Sequence, residues 1–153
     1  AIQKNAEDIE AVLGHPVHLF RPPFGAANGA VMKFLRHRKD TLVRWNIDPH
    51  DFMKANRKRI RQKVVQGILE KNGGVVLLHD TKDWTADALP GILEDLESAN
   101  CQRLAAGESL IIPTTLHYFL RNRDGSPRQV PVEVKNGTDQ YIGYLSERCQ
   151  TDD

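Results

Sequence analysis

The chain has little of several features that mark specialised protein classes. Its 153 residues include only two cysteines, Cys101 and Cys149, too few for a disulfide framework and too far apart for a zinc knuckle. One disulfide or two free thiols are both compatible with the sequence. Lysine plus arginine total 21 against 20 for aspartate plus glutamate, and no apolar run approaches the ~20 residues of a membrane span. The sequence therefore predicts one globular domain with no nucleic acid partner and no membrane span.

A signal peptide is also missing from the sequence. The chain begins at Ala1, without a methionine, and enters a helical pattern at once. This start predicts a processed product or a fragment of a longer protein.

Hydrophobic periodicity predicts alternating strands and helices up to residue 120. The predicted helices cover residues 2–13, 29–37, 55–71, 85–99 and 114–120. The predicted strands cover residues 17–20, 41–47, 75–78 and 109–112. This order favours parallel βα units, with Asp83 or Thr85 as a cap for the fourth helix. Residues 129–134 and 140–145 alternate around Asn136-Gly137, which predicts a β-hairpin appendage.

Polar side chains follow three of the predicted strands. His79 follows the apolar run 74–78, Arg21 follows the first strand, and Asp48 and Asp51 follow the second. Right-handed crossovers place the C-terminal ends of parallel strands at one edge of a sheet. We therefore expect these four side chains to gather at a common site.

The chemistry of these residues suits acyl transfer or hydrolysis. A histidine with a carboxylate partner acts as a general acid or base, and Arg21 can hold a second carboxylate in its ionised form. Backbone N–H groups after the rigid Pro22-Pro23 turn can bind a developing oxyanion. Apolar walls for a sugar face or a small acyl group would come from Trp45, Phe52 and Leu77. No Ser, Cys or Thr stands in a nucleophile-elbow motif.

Three segments in series resemble signatures of the polysaccharide deacetylase family, carbohydrate esterases that remove acetyl groups from chitin-like or peptidoglycan sugars. Arg21-Pro22-Pro23-Phe24-Gly25 is similar to the family's Arg-Pro-Pro-Tyr segment, with Phe24 in place of tyrosine. Residues 45–52 are similar to its W-x-x-D-x-x-D-W segment, with Phe52 in place of the last tryptophan. Residues 76–80 resemble its strand ending in Leu-His-Asp. The resemblance covers roughly residues 5 to 120.

The resemblance implies a role for each of these residues. His79 would be the general acid that protonates the leaving amine, and Asp51, in preference to Asp48, would tune it. Arg21 would hold the catalytic-base aspartate of the family. The remaining residues would contact the substrate: the Phe24 amide as oxyanion donor, Leu77 in the acetate pocket, and Pro22, Trp45 and Phe52 around them.

The family also uses a divalent metal, usually zinc, and its ligands are not recognisable in this chain. The family's Asp-Asp pair and its H-x-x-x-H pair precede the first motif found here. His15 and His18 are two loop residues without a third ligand, so no metal residue is predicted in the chain. The expectation is therefore a fragment whose partner is the missing N-terminal half of the domain.

The resemblance also implies a fold, a substrate and a location. Residues 1–122 would form the C-terminal portion of a distorted (β/α) barrel with mostly parallel strands, and residues 123–153 a tail. The complete protein would be a hydrolase that acts on an acetylated polysaccharide, either secreted or in the cell envelope. The alternative is a catalytically inactive carbohydrate-binding or structural domain.

Overall fold

The computed structural model describes residues 1–54, 56–122 and 124–150. It divides into two compact units, Ala1–Arg44 and Trp45–Asp153. The predicted division between residues 122 and 123 stays a prediction, and Arg123 lies outside the described residues. No helix in the described part of the chain is long and apolar enough to cross a bilayer.

The first unit contains two helices and a short parallel sheet. Helix α1 spans Ile2–Leu13 and helix α2 spans Gly29–Arg38. Strand β1 (Leu19–Phe20) pairs in parallel with strand β2 (Thr41–Leu42). A 3₁₀ turn, Pro23–Gly25, follows β1. The helices therefore lie close to their predicted ranges, whereas the strands are much shorter than predicted.

Local sequence explains where both helices of this unit end. Gly14 closes α1 in the left-handed conformation, with φ 75°, and its N–H donates to the Glu10 carbonyl oxygen at 2.8 Å. Asn28 caps the start of α2, because its side-chain oxygen accepts from the Val31 N–H at 3.0 Å.

The second unit contains three longer helices. Helix α3 spans Arg57–Glu70, helix α4 spans Asp83–Ala105 and helix α5 spans Val132–Arg148. A 3₁₀ turn, Leu116–Phe119, lies between α4 and α5. The predicted start of the third helix at Ala55 falls outside the described residues. Helix α4 runs six residues beyond its predicted end at residue 99.

The core of the second unit forms where α3 and α4 pack together. The apolar side chains of α3 recur every four residues, which places them on one face of the helix. The buried core residues are Ile47, Ile60, Val64, Ile68, Ala88, Ile92 and Leu96. Ile47 belongs to this core, and the loop that carries Asp48 and Asp51 follows it directly in the chain.

The predicted C-terminal hairpin is wrong, because residues 132–148 form helix α5. Leu145 is completely buried, and Cys149 forms a disulfide with Cys101 of α4. The Tyr144 hydroxyl donates to Glu97 of α4 at 3.2 Å. Packing against α4 outweighs the turn preference of Asn136-Gly137, which costs a helix only about 1 kcal/mol for the glycine.

The predicted strands of this unit are extended segments with little ladder pairing. Ile47 and Val76 form an isolated parallel bridge, in which the Leu77 N–H donates to the Ile47 carbonyl at 2.9 Å. In the segment predicted as strand 109–112, the buried Asn100 amide instead bonds both the N–H and the carbonyl of Ile111, at 2.8 and 2.7 Å. A side chain of α4 thus takes the place of a neighbouring strand.

Candidate active site

A buried carboxylate and a histidine form the centre of the site. Asp51 is fully buried, and its Oδ1 lies 2.7 Å from Nδ1 of His79. Its Oδ2 accepts two further hydrogen bonds, from the His79 backbone N–H at 2.7 Å and from the Thr85 hydroxyl at 2.8 Å. Three donors therefore fix the carboxylate and orient the imidazole ring.

The parallel bridge between Ile47 and Val76 brings these residues together. Asp51 lies four residues after Ile47, and His79 lies three residues after Val76. Both segments run on in the same direction, so both side chains emerge beyond the same end of the bridge. Helix α4 completes the arrangement, because Nε1 of Trp84 donates to the Asp51 backbone carbonyl at 2.8 Å.

The electrostatics of Asp51 favour its charged form. Burial alone raises the pKa of Asp51, because desolvation penalises the carboxylate. The hydrogen bonds from the His79 ring, the His79 backbone and the Thr85 hydroxyl outweigh this effect and hold the pKa of Asp51 below its ordinary value. Asp51 is consequently ionised at neutral pH.

The contact with Asp51 fixes which nitrogen of His79 faces outwards. An ionised carboxylate only accepts, so Nδ1 carries the hydrogen that it shares with Asp51 Oδ1. The His79 side chain is 30% exposed, and within the described part of the chain Nε2 has no hydrogen-bond partner. Such a pair can exchange a proton with a bound molecule through Nε2.

Asp48 has a different structural role. Its Oδ1 accepts from the His50 N–H at 2.8 Å, and its backbone carbonyl lies 3.0 Å from Nδ1 of His50. These contacts form a turn in the loop that carries Asp51. Asp48 thus shapes the loop, while Asp51 alone of the two makes the contact with His79.

All three predicted apolar wall residues are partly exposed. The Phe52 ring is half exposed and lies edge-on to the His79 ring, with 5.8 Å between centroids. Leu77 is half-buried in the segment that leads to His79, between Val76 and Leu78, which pack on the core. Trp45 is half-buried at the start of the unit.

The Arg-Pro-Pro segment lies in the first unit and is described by itself. Arg21 is exposed, and the Pro22 side chain is fully buried, so any contribution of Pro22 to binding comes through the turn that it rigidifies. Phe24 is 99% exposed and has φ 55°. Gly25 and Ala26 donate the two backbone hydrogen bonds of the turn, so the Phe24 N–H takes no part in them. The expected proximity of Arg21 to His79 stays a prediction.

Two residues of the site were not predicted from the sequence. Thr85 was considered only as a helix cap, yet α4 begins at Asp83 and the Thr85 hydroxyl bonds Asp51. Trp84 carried no signal beyond its position in the same helix. A threonine in the first turn of the helix that follows His79 is the sequence signal by which such a partner can be sought.

The described residues do not fit a metal ion. Within residues 1–54, 56–122 and 124–150, no group of three or more His, Cys, Asp or Glu side chains is placed to hold one. His18 Nδ1 lies 3.2 Å from Asp40 Oδ1, and His15 Nδ1 lies 3.3 Å from the Pro16 carbonyl oxygen. No chemical step is therefore assigned to a metal bound by these residues.

Comparisons with known proteins place this geometry in context. No protein-family model matches the chain. The chain is 34% identical to a peptidoglycan-N-acetylglucosamine deacetylase of Bacillus cereus over 97 residues, which are 60% of this chain and 45% of that protein. A solved family 4 carbohydrate esterase from Streptomyces lividans, in complex with acetate, is 31% identical with a TM-score of 0.57, covering 64% of this chain and 50% of that one.

The relatives and structural neighbours of this chain include peptidoglycan and polysaccharide deacetylases of carbohydrate esterase family 4. Those deacetylases have a (β/α) barrel fold. The neighbours also include a family 4 pseudoenzyme from Bacillus anthracis, which is 25% identical with a TM-score of 0.54 and covers 63% of this chain and 34% of that one. The chain spans less than half the length of the curated relatives it matches first, 22%, 29% and 45%.

Proposed function

We propose that this chain is the C-terminal part of a polysaccharide deacetylase domain, in which His79 is the general acid for hydrolysis of an N-acetyl group. The observation that carries the proposal is the buried Asp51–His79 pair, whose outer nitrogen Nε2 is free to exchange a proton. The identity to a peptidoglycan-N-acetylglucosamine deacetylase supports an acetylated amino sugar in a polymer as the substrate.

In the proposed hydrolysis, the water, the acetyl group and His79 each have a defined role. A water oxygen bonds to the acetyl carbon, the C–N bond then breaks, and His79 gives its Nε2 proton to the leaving nitrogen. The products are acetate and a free amine. Asp51 orients the ring through Nδ1, so that Nε2 is the nitrogen that faces the leaving group.

Arg21, Phe24 and the apolar residues complete the proposal. Arg21 would orient the carboxylate that accepts the proton of the attacking water, and the Phe24 N–H would donate to the oxyanion. Leu77 would line the acetate pocket, while Trp45 and Phe52 would face the sugar. The residues that hold a divalent metal, zinc in this proposal, would belong to a part of the complete protein outside this chain.

A catalytically inactive domain is the second candidate function. The similarity to a family 4 pseudoenzyme favours it. An Asp–His pair alone does not distinguish an active deacetylase from an inactive domain. A mutant of that pseudoenzyme has restored enzymatic activity. Activity must therefore be measured on the complete protein.

The deciding experiment measures acetate release by the complete protein from oligomers of N-acetylglucosamine and from peptidoglycan. Release that depends on a divalent metal supports the deacetylase. The sequence upstream of Ala1 gives a second test, since an Asp-Asp followed by H-x-x-x-H would supply the family's base and metal ligands. A complete protein with those residues but no acetate release would contradict the proposal.

We also propose a secreted or cell-envelope location. The disulfide between Cys101 and Cys149 supports it, because disulfides persist in oxidising compartments. Peptidoglycan, the substrate named for the Bacillus cereus relative, is itself a cell-wall polymer. Immunodetection of the protein in the extracellular and envelope fractions, with a cytoplasmic marker as control, tests this location.

A further inference from the structure

His50 is a histidine of the site region that the proposed reaction does not use. Its backbone has φ 59°, in the left-handed region, where residues other than glycine are uncommon although histidine is found there more often than most. Two contacts with Asp48 hold it there, one to the His50 N–H at 2.8 Å and one to the ring Nδ1 at 3.0 Å. The side chain is nevertheless 50% exposed. The loop thus holds a specific ring at the surface at some conformational cost.

The His50 ring continues a row of rings that begins at the proposed general acid. His79 and Phe52 lie 5.8 Å apart between centroids, and Phe52 and His50 lie a further 5.8 Å apart. Phe52 is 50% exposed and His79 is 30% exposed. The row therefore presents flat apolar faces and polar ring edges to solvent, beginning at the proposed point of reaction.

The row of rings leads into an open polar groove. His50 lines this groove, which has a volume of about 370 Å³, together with Asp48, Lys63 and Glu70. The Lys63 ammonium lies 3.5 Å from the Pro49 carbonyl oxygen, directly beside His50 in the loop. A groove with cationic, anionic and amide side chains offers donors and acceptors for hydroxyl groups.

We propose that His50 is a substrate-positioning residue, which with Phe52 holds the sugar units next to the one being deacetylated. A saccharide chain fits this surface because each unit offers an apolar face to the rings and hydroxyl groups to the groove. The inference rests on the proposed function, which it deepens by naming the residues that hold the neighbouring units of the polymer. Nδ1 of His50 is engaged by Asp48, so Nε2 is the nitrogen that faces the ligand.

The test uses the complete protein and two variants that tolerate a positive φ, His50→Gly and His50→Asn. Both remove the ring while keeping the loop conformation accessible. The probes are the dimer and the tetramer of N-acetylglucosamine. Acetate release gives kcat and KM, and calorimetry on a His79→Ala background gives the Kd for the tetramer. His37→Ala, which changes an exposed histidine of α2, is the control.

Both His50 variants should raise the tetramer KM and Kd by about tenfold, the loss of one well-formed contact. The kcat for the tetramer and the KM for the dimer should stay unchanged, because the ring lies beyond the reacting sugar. An unchanged tetramer KM and Kd would overturn the role of His50, and so would a complete protein that binds no tetramer. Tetramer binding that weakens in both variants, in a protein that releases no acetate, would support this inference and reject the proposed hydrolysis alone.

Discussion

Asp51 keeps its charge inside the protein because both oxygens of its carboxylate accept hydrogen bonds. The motif in residues 45–52 made Asp51 a candidate, but the same motif also contains Asp48. The structure separates them through the contacts to His79 and Thr85, which depend on the packing of α4 beside the loop. A single sequence does not reveal such a contact, since a threonine near the start of a helix also suits a cap.

Asp51→Asn should make the stability of the protein less dependent on pH in the acid range. The pKa of Asp51 is below its ordinary value of 3.8, so ionised Asp51 stabilises the folded state above that pH. The stabilisation is lost as the pH falls through the lowered folded value. The free energy of unfolding of the variant should be lower than that of the wild type by roughly 1.5–3 kcal/mol at pH 7.

Urea unfolding at pH 7 and at several values below 3.8 measures this difference directly. The gap between wild type and variant should shrink as the pH falls below that value. Asp80→Asn, which changes the exposed carboxylate next to His79, is the matched control and should show no such shrinking gap. A gap of constant size down to the most acid pH would contradict the assignment of Asp51 as an ionised buried group.

His79→Ala should lower the turnover of the complete protein far more than its substrate affinity. A general acid acts on the leaving group in the transition state and typically contributes ~10² to 10⁴-fold to the rate. Steady-state acetate release from the N-acetylglucosamine tetramer measures kcat and KM separately. The control His37→Ala should leave both unchanged. A His79→Ala protein with normal kcat and a raised KM would make His79 a binding residue instead.

The helices were easier to predict than the strands. Stripes such as Ile60, Val64 and Ile68 on α3 give a helical periodicity that can be read from the sequence alone. The predicted end of that helix at residue 71 lies one residue beyond its observed end at Glu70. Strand assignment depends on pairing with distant residues, and here Ile47 and Val76 pair only as a single bridge. The hairpin prediction for the tail was wrong for a related reason. The short alternating runs of the tail also match a helix, in which Leu145 is buried.

Gly91 in α4 shows how a contact between two helices can override helix propensity. A Cβ at this position would lie 2.9 Å from both Cδ and Cζ of Arg61 in α3. Arg61 makes a bidentate ion pair with Asp95 of α4, at 2.6 and 2.7 Å. Glycine is therefore needed at this position for the guanidinium to lie against the backbone of α4.

Gly91→Ala should fail to give the usual stabilisation of about 0.5–1 kcal/mol that alanine brings to a helix. The added methyl group must displace Arg61 from Asp95, which offsets the gain in propensity. Gly143→Ala in α5 is the matched control, since no atom lies within 4 Å of its added Cβ, and it should show the gain. Thermal or urea unfolding compares the two. Equal stabilisation by both substitutions would show that Arg61 moves away without cost.

The family resemblance of the whole chain was predicted from three motifs taken together rather than from hydrophobic periodicity. Each motif alone is short, but their order and spacing resemble one family, and the comparisons with relatives and structural neighbours confirm that resemblance. The expected meeting of the Arg21 segment and the His79 segment stays a prediction, because the two segments lie in different compact units. The motifs thus say more about which family the chain resembles than about how its parts are arranged.

The 153-residue chain by itself is expected to bind no stoichiometric zinc and to release no acetate. A catalytic zinc needs three protein ligands, and the described residues, 1–54, 56–122 and 124–150, hold no group of three candidates. His15 and His18 are the two histidines nearest to each other in sequence, and they contact Pro16 and Asp40 instead. Calorimetric titration of the chain with zinc measures the stoichiometry, and a variant with both His15→Ala and His18→Ala is the comparison. One zinc per chain, lost in that variant, would place a metal site in this half of the domain and would overturn the proposal that its ligands lie elsewhere.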